Sequence, residues 1–498
     1  MDKNKNVVAR SKLSQSPERS EGDETISKDV IASPPARNDL PELPKGWVWT
    51  SLGNVITFEY GKGLREDKRD RDGNTPVYGS NGVVGYHSDP LIEKPCLIVG
   101  RKGSAGHVHL SRGPCWAIDT TYYVIPPEGI GLSFLYYLLS TLQLGSLDKS
   151  TAIPGLNRND VYSLTIPLPP FPEQHRIVAK IEELFTKLDA GVEALKKVKA
   201  QLKRYRQAVL KYAFEGRLTE EWRQSELRNP NSALKKEPAS VLLERIKEER
   251  KKNAKGKYRE MPPVDTSDLP ELPEGWVWTT VSQVTTKVTD GVHKTPKYVD
   301  NGIPFISVNN MSKNGTLSFY PCKFITLEEH QEFYKHCNPE KGDVLLSKVG
   351  TVGLTSVINT DKEFSLFVNT ALIKPLPNMI SPEFLAFILR YGFLSDFYNS
   401  FISGSTQKFI GTTKIGLLPI PLASFEEQKE IVKEIERLFS VAEEVEKVVQ
   451  LSLKQAERLR QSILKKTFEG KLVPQDPTDE PAEKLLERIK LGKKRGMG

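Results

Sequence analysis

A 53-residue block occurs twice in this chain, and this repeat constrains the fold more than any other feature. Residues 166–218 align without a gap with residues 420–472, and 22 of the 53 positions are identical. The copies share the words IPL, EQ and FEG. A repeat of this size predicts one structural unit used twice.

Two shorter words repeat outside this block. The marker LPELPKGWVWT at 40–50 returns at 269–279 with one change, and EPA followed by LLERIK at 237–247 returns at 480–490. The inserts between marker and block do not repeat clearly, which predicts a constant frame around two different domains. The predicted segments are a disordered leader (1–39), a first insert (40–165), a long helix (166–218), a short helix with a basic connector (219–262), a second insert (263–419), a second long helix (420–472) and a C-terminal short helix with its tail (473–498).

Both inserts have the pattern of mixed α and β domains. Gly and Pro recur at short intervals between short β-branched and aromatic runs such as 97–99 and 304–308, which is typical of short strands joined by turns. Each insert also has a predicted helix, near 131–143 and near 381–399. The fold class is therefore α+β, with a pseudo-twofold internal repeat.

The repeated block predicts a helix of about 43 residues, roughly 65 Å long. Apolar residues recur at steps of four and three from Ile177 to Tyr212, and again from Ile431 to Ile463, as in a coiled coil. We expect the two copies to form one antiparallel coiled coil within the chain. The alternative is that each seam packs on a partner protein.

Composition permits a nucleic-acid partner but does not establish one. The net charge is +8, no run of residues is long and apolar enough for a membrane helix, and no signal peptide is present. We therefore expect no membrane association and, without a secretory signal, reduced thiols. The four cysteines form no CxxC pair, so we expect no metal site. A cytoplasmic protein is the simplest interpretation.

Motifs of enzyme active sites are missing from the sequence. It has no GxxxxGK[ST] loop, no GxSxG elbow, no HExxH and no Asn-Pro-Pro-aromatic run. Together with the duplicated frame, this favours a non-catalytic binding protein that has no cofactor of its own.

Glycine-bounded loops in both inserts carry side chains suited to DNA. Glycine lets a ligand approach the backbone closely, and Arg, Lys, Ser and Asn can reach phosphate oxygens or base edges. The alternatives are an ordinary surface loop for 65–72 and turn chemistry for Asn309 and Asn310. The candidate DNA-binding residues are Lys62, Arg65, Tyr78, Ser80, Asn81, Arg101, Lys102, Ser104, Arg158, His293, Lys294, Lys297, Tyr298, Asn309, Asn310, Lys348 and Lys408.

From Leu40 onward the chain resembles the specificity (S) subunit of type I restriction–modification systems. The resemblance rests on the doubled marker with its two tryptophans, on IPLPPFPEQHRIV at 166–178 and on FEGRL at 214–218. It implies that the inserts are target-recognition domains, each reading one half of a split sequence in double-stranded DNA, with the paired helices as a ruler between them.

The same resemblance implies the partners. Two methylation (M) subunits dock on the frame and carry S-adenosylmethionine, and restriction (R) subunits join them with ATP and Mg. The S subunit itself performs no chemistry. The repeated words suggest as partner-binding residues Glu173, Gln174, Phe214, Glu427, Gln428 and Phe468. The competing hypothesis is a coiled-coil protein-interaction scaffold that does not bind DNA.

Overall fold

A computed structural model describes most of the chain from Leu40 onward. The described residues are 40–70, 72–147, 155–229, 231–232, 237–252 and 261–495. The predicted leader and part of the predicted basic connector (253–260) lie outside them. The chain divides into two compact units: the first comprises residues up to Gly191 and from Gln455 onward, and the second is Val192–Lys454.

The described residues form mixed α and β structure, as predicted. The helices are α1 (Leu52–Val55), α2 (Leu132–Thr141), α3 (Arg158–Tyr162), α4 (Phe171–Phe214), α5 (Glu220–Arg228), α6 (Ala239–Lys252), α7 (Leu327–His336), α8 (Pro382–Leu394), α9 (Thr412–Gly416), α10 (Phe425–Phe468) and α11 (Ala482–Arg495). The strands of the first unit are β1 (Val48–Ser51), β2 (Glu59–Tyr60), β3 (Thr75–Gly79), β4 (Gly82–His87), β5 (Cys96–Gly100), β6 (Val108–Ser111), β7 (Trp116–Ala117), β8 (Thr121–Val124) and β9 (Thr165–Leu168). Those of the second unit are β10 (Val277–Thr280), β11 (Thr285–Asp290), β12 (Tyr298–Val299), β13 (Ile303–Ile306), β14 (Lys323–Ile325), β15 (Val344–Ser347), β16 (Thr355–Val357), β17 (Ser365–Leu366), β18 (Thr370–Pro375) and β19 (Pro419–Leu422).

The repeated block forms the long helices α4 and α10, each of 44 residues. Both helices end within the shared FEG word, two residues before its glycine. Gly216 and Gly470 each have φ +67°, and the next amide bonds back to the last turn, from Arg217 N to Tyr212 O at 2.8 Å in the first copy. This left-handed cap satisfies the last carbonyls of the helix, which is why glycine follows both helices.

The two long helices run antiparallel within each unit. In the first unit, Glu173 at the start of α4 accepts a hydrogen bond from Gln475, which follows the end of α10, at 3.3 Å. Further along α4 in the same unit, Asp189 pairs with Arg460, which precedes the end of α10. In the second unit, Arg206 meets Glu446 at 2.8 Å, and Arg223, which follows the end of α4, meets Glu427 at 3.0 Å.

The predicted coiled-coil seam is wrong in detail. Ile177, Ile181, Val209, Ile431 and Ile435 are buried as expected. Other predicted seam positions are exposed, and the buried face includes neighbours that the heptad pattern omitted. The exposed ones are Tyr205, Tyr212, Val445 and Leu459, and the unpredicted buried ones are Phe185, Leu210, Ala213 and Phe214. The reason is that the helix ends pack on the inserted domains as well as on each other: Phe214, for example, lies with its ring centroid 5.0 Å from that of Tyr391.

The marker words form the necks of the inserted domains. β1 pairs antiparallel with β9 and brings Thr50 opposite Ile166, while β10 pairs antiparallel with β19 and brings Thr279 opposite Ile420. The marker strand therefore pairs with the strand that leads into the long helix. This pairing explains why the marker and the IPL word both occur twice.

The two inserts, whose sequences do not visibly repeat, share the topology of one sheet. The first contains a four-stranded antiparallel sheet of order β2-β8-β5-β6, and the second contains the corresponding sheet β11-β18-β15-β16. Each insert also has a second sheet with one parallel pair. The three-stranded sheet β4-β3-β7 of the first insert pairs β3 with β7, and the four-stranded sheet β12-β14-β13-β17 of the second pairs β13 with β17. The predicted helices of the inserts correspond to α2 and α8.

Each unit has its main core between its antiparallel four-stranded sheet, an insert helix and the long helices. The first core includes Leu97, Val99, Phe134, Leu138, Ile177, Ile181 and Ile463. The second includes Val344, Leu346, Phe384, Leu385, Val209, Ile431 and Ile435.

The short repeated helices complete the same two cores. α11 contributes Leu485 and Ile489 to the first core, and α6 contributes Leu242 and Ile246 to the second. No helix of the described residues is long and apolar enough to cross a membrane.

Candidate nucleic-acid interface

One backbone carbonyl joins two of the predicted DNA-binding loops of the first insert. The Thr120 oxygen accepts hydrogen bonds from Ser80 Oγ at 2.7 Å, from Arg101 N at 2.9 Å and from Lys102 N at 3.1 Å. Thr120 lies in the turn between β7 and β8, so this turn holds the end of β3 beside the loop after β5. We call this group the first loop cluster.

An exposed tyrosine at the edge of the first loop cluster holds two arginines. The Arg101 and Arg158 guanidinium carbons lie 5.5 Å and 5.3 Å from the centroid of the Tyr60 ring, which is 53% exposed. Arg101 also donates from Nη2 to the Asp119 oxygen at 2.7 Å. Stacking on the ring and bonding to a carbonyl both restrict the Arg101 side chain.

Lys62 is fixed to the same cluster through its backbone. Its amide donates to the Ala117 oxygen at 2.8 Å, and its carbonyl accepts from Trp116 Nε1 at 2.8 Å. The side chain of Lys62 is exposed. The structure thus places Lys62, Arg101, Lys102 and Arg158 together, as a DNA-binding surface requires.

The second insert has an equivalent arrangement, which we call the second loop cluster. The backbone oxygen of Asn369 accepts a hydrogen bond from Lys348 N at 2.9 Å, and the Asn369 side chain accepts one at Oδ1 from Val308 N at 3.3 Å. Asn369 lies in the turn between β17 and β18, as Thr120 does between β7 and β8. The exposed Asn309 follows Val308 and therefore borders this cluster.

A buried ion pair takes the place that the stacked arginine has in the first cluster. Lys348 Nζ bonds to Asp290 Oδ2, and both side chains are nearly inaccessible. His293 Nε2 lies 3.3 Å from the same oxygen and is exposed, and Lys408 accepts through its carbonyl from Gly350 N at 2.9 Å. Lys294 lies in the loop directly after His293.

The loops that carry Arg101 and Lys348 have the same conformation. Their sequences are RKGSAG (101–106) and KVGTVG (348–353), and both glycines are left-handed in each, at φ +76° and +81° in the first loop and +78° and +96° in the second. The cation's carbonyl accepts from the amide of Leu156 at 2.8 Å in one domain and from that of Ile410 at 2.9 Å in the other. We call this hexapeptide the glycine loop.

Three predicted DNA-binding residues have internal roles instead. Ser80 is buried and donates to Thr120, and Lys348 is buried in its pair with Asp290. Asn310 is buried, and its side chain accepts from Ser307 N at 3.1 Å and donates to the Ser318 and Pro321 oxygens, both at 3.0 Å. For these three side chains, direct contact with DNA was the wrong prediction, because each is occupied in holding a loop.

The remaining predicted residues lie outside the main contacts of the two clusters. Asn81 and Arg65 are exposed, and Arg65 lies 3.6 Å from Asp67. Lys297 is tied through its amide to Glu329 Oε1 at 3.1 Å, and Tyr298 carries the Lys323 ammonium 4.0 Å from its ring centroid. For these residues DNA contact stays a prediction.

Tyr78 and Ser104 also remain candidates. Tyr78 is partly buried and lines a cavity of about 430 Å³ with His109, Tyr136 and Tyr137. Burial raises the pKa of the Tyr78 hydroxyl above its ordinary value. Ser104 is partly exposed in the glycine loop.

The six predicted partner-binding residues are buried in the frame, so that prediction is corrected. Glu173 accepts from Trp47 Nε1 at 3.0 Å, and Glu427 accepts from Trp276 Nε1 at 2.9 Å. Gln174 accepts from Gly131 N, and Gln428 accepts from Ser381 N, both at 2.9 Å. Phe214 and Phe468 belong to the two main cores or pack at their edges. Side chains so placed have no free surface for a partner.

These contacts explain why the marker tryptophan and the EQ word recur together. Each buried glutamate holds the neck of its domain, and each glutamine holds the segment just before α2 or α8. Burial raises the pKa of both glutamates, although the Arg223 charge opposes this effect at Glu427.

Two residues that join the loops escaped the sequence analysis. Thr120 and Asn369 act through their backbones, which composition does not reveal. Thr351 was missed as well, although the spacing of a cation, Gly, Ser or Thr, and Gly at 101–106 and 348–353 would have identified it. In the part of the chain that the structure describes, no group of three or more His, Cys, Asp and Glu side chains could hold a metal ion.

Comparison with known proteins agrees with this architecture. A family described as "Type I restriction modification DNA specificity domain" matches residues 44–204 and 273–455. The EcoDI type I restriction enzyme specificity subunit of Escherichia coli is 28% identical over 90% of this chain and 96% of its own length. The EcoBI specificity subunit of Escherichia coli is 27% identical over 91% of this chain and 94% of its own.

A solved structure shares the fold. It comes from work on complex assembly and conformational transition of a type I R-M system. Its chain is 20% identical to this one, with a TM-score of 0.57, and the alignment covers 87% of this chain and 100% of the other.

Proposed function

The chain belongs to the type I restriction modification DNA specificity family, and on this premise we propose that it recognises a two-part DNA target with its two inserted domains. It is the sequence-recognition subunit of a type I restriction–modification complex and is not itself an enzyme. Methyl transfer and cleavage are the work of partner subunits. The domains at 40–165 and 263–419 each read one part of the target.

The observation that carries this proposal is a shared fold with different loop side chains. Both inserts contain a four-stranded antiparallel sheet of the same strand order and the same glycine loop. The exposed side chains around the two loop clusters differ, with Tyr60 and Lys62 in the first insert and His293 and Asn309 in the second. Two domains of one topology with unlike exposed side chains suit the recognition of two different base sequences. Exposed lysines and arginines around the loops suit the phosphate contacts that provide most of the affinity.

Methylation and restriction subunits are the protein partners that this family implies. Two methylation subunits would supply S-adenosylmethionine, and restriction subunits would use ATP and Mg. A cytoplasmic location fits this proposal, because type I restriction–modification complexes act on cellular DNA.

An exposed apolar face on α10 is the candidate contact for a methylation subunit. Val441, Val445 and Val448 lie on one helical face and are 55%, 39% and 60% exposed. Leu451, which is 60% exposed, extends this face. Apolar side chains gathered on an otherwise charged helix are typical of a protein interface.

The test is DNA binding by the chain assembled with its methylation subunits. We expect affinity for a duplex to fall steeply between about 50 mM and about 200 mM salt, by 10³-fold or more if at least about six phosphates are contacted. Affinity without salt dependence, or no binding to any duplex, would favour the scaffold hypothesis instead.

A further inference from the structure

Both inserted domains carry the glycine loop, and we propose that its tip is a DNA-backbone contact common to the two domains. In this proposal, the hydroxyls of Ser104 and Thr351 donate to phosphodiester oxygens, one in each part of the target. The inference rests on the proposed function, because it takes both domains to bind DNA.

Two domains that read different DNA sequences can share only groups that serve both targets. If the domains read different bases, a surface group that both of them keep cannot carry sequence information. It can serve a contact that is the same at every base pair, and the phosphate backbone provides such a contact. At the glycine loop the domains share a cation, two left-handed glycines and a hydroxyl between them.

The cation and the second glycine are explained by the fold itself. Arg101 is held by Tyr60 and Asp119 at the surface, and Lys348 by Asp290 inside its domain, so each cation ties its loop to the rest of the domain. A Cβ at Gly106 would lie 2.3 Å from the Gly145 nitrogen, and one at Gly353 would lie 2.4 Å from Phe393 Cβ. These groups therefore position the loop, but they give no structural role to the hydroxyl side chains at its tip.

The tip has open space and free hydroxyls. A Cβ placed at Gly103 or Gly350 would meet nothing within 4 Å. Among the described residues, neither the Ser104 hydroxyl nor the Thr351 hydroxyl has a hydrogen-bond partner. A ligand as large as a DNA strand can therefore approach this turn, and each hydroxyl can turn its proton toward an acceptor.

A lysine stands beside each tip. Lys102 is the second residue of the first glycine loop, and Lys408 bonds through its backbone to Gly350 in the second, at 2.9 Å. Both side chains are exposed. The lysine beside the tip comes from a different chain segment in each domain. This favours an anion as the common ligand over a role in folding.

The experiment uses the chain assembled with its methylation subunits and two duplexes of equal length. One duplex contains the sequence methylated in cells, and the other lacks it. S104A and T351V remove one hydroxyl each with little change of shape, and T351S retains the hydroxyl. S240A, at an exposed position on α6, is the matched control.

We expect S104A and T351V each to weaken binding to both duplexes by the same factor, about fivefold to tenfold. The factors should multiply in the double variant, because the two loops lie in different domains. T351S and S240A should bind like the wild type, unfolding midpoints should not change, and the methylated sequence should stay the same.

Two results would overturn the proposal. A loss confined to the duplex with the methylated sequence, or an altered methylation motif, would mean that the hydroxyls read bases. Unchanged binding to both duplexes would mean that the loop only supports the fold. Failure of the wild-type complex to bind any duplex would instead count against the proposed function, so the two failures are distinguishable.

Discussion

Glu173 and Glu427 occupy equivalent positions but face different charges. Glu427 lies 3.0 Å from the buried Arg223, whereas Glu173 is bonded to the neutral Trp47 and Gln475. Removing one member of a buried ion pair leaves the other charge uncompensated, so we expect Glu427→Gln to reduce the free energy of unfolding by about 3 kcal/mol. Glu173→Gln, the matched control, should cost about 1 kcal/mol, because its donors Trp47 and Gln475 are uncharged and no buried charge loses its partner. Chemical denaturation of both variants measures the difference, and equal losses would contradict this account.

The Glu173 carboxyl should also make the stability of the protein depend on pH. Burial raises the pKa of its carboxyl above the ordinary value of 4.5. A group whose pKa is raised on folding stabilises the protein below its ordinary pKa, and this stabilisation is lost as pH rises through the raised value. The unfolding midpoint of the wild type should therefore fall relative to that of Glu173→Gln as pH rises from about 4 to about 7. A constant gap between the two proteins, or a gap of opposite sign, would show that the carboxyl is not perturbed as described.

At the residue scale, the sequence predicted side-chain chemistry better than side-chain role. Arg101, Lys102 and Lys62 were identified from glycines and charge, and they lie together. Lys348 had the same residue-level signals but is buried, because its partner Asp290 lies 58 residues away and no local pattern reveals that they meet. Asn310 is buried by bonds to the nearby Ser307 and Ser318, which is the turn chemistry that was the alternative for it. The EQ words were recognised as important, yet their burial depends on the neck strands, which only the fold brings together.

Among the elements, the C-terminal helix α11 is anchored by a lysine near its end. Lys493 Nζ donates to the Gly53 oxygen at 2.8 Å and to the Ile56 oxygen at 2.6 Å, in the first unit. We expect Lys493→Met to weaken the attachment of this helix by about 1–3 kcal/mol, because two carbonyls lose a charged donor. Amide hydrogen exchange should become faster across residues 482–495, while the exposed neighbour variant Lys494→Met leaves it unchanged. Equal exchange in the two variants would exclude this anchoring role.

The pKa of Lys493 gives the same helix a pH dependence. Burial lowers this pKa to about 8 from an ordinary 10.5. The folded state then binds fewer protons than the unfolded state between these values, so the attachment should strengthen as pH rises through this window. Exchange rates corrected for the intrinsic effect of pH should show this strengthening in the wild type and not in Lys493→Met.

The exposed apolar face of α10 is the proposed contact for a methylation subunit, and a substitution on it tests this interface. Val448→Glu places a charge in the centre of the apolar face, so we expect assembly with the methylation subunits to weaken by about tenfold or more. The unfolding midpoint should not change, because Val448 is 60% exposed. Glu443→Gln, at an exposed position on a different face of the same helix, is the control for altered charge. Normal assembly of Val448→Glu would remove this face from the proposed interface.

Element by element, helices were easier to predict than their contacts. The repeated block and its apolar steps of four and three located α4 to within a few residues, since these signals are local. The seam was misplaced because a strict heptad describes two helices that pack only on each other, whereas Phe214 and Phe468 also pack on an inserted domain.

For the whole molecule, the sequence repeat predicted the frame of long helices and neck strands. The structure shows that the inserts also repeat one sheet topology. Their common strand order was not apparent from sequence, because the strands are short and their buried residues tolerate substitution. The glycine loop is the exception, since its left-handed turns require glycine at fixed positions. A frame that repeats, with inserts that differ mainly at exposed loop residues, is the arrangement expected of a protein that reads two unlike sequences.

The central claim is that each inserted domain reads its own part of the target. The most direct measurement is genome-wide sequencing of methylated adenines in cells carrying the wild-type chain, or a chain whose residues 51–164 come from a relative with a different target. We predict a split motif in which the exchange changes one part and leaves the other intact. A continuous motif, or an exchange that alters both parts or neither, would contradict the account.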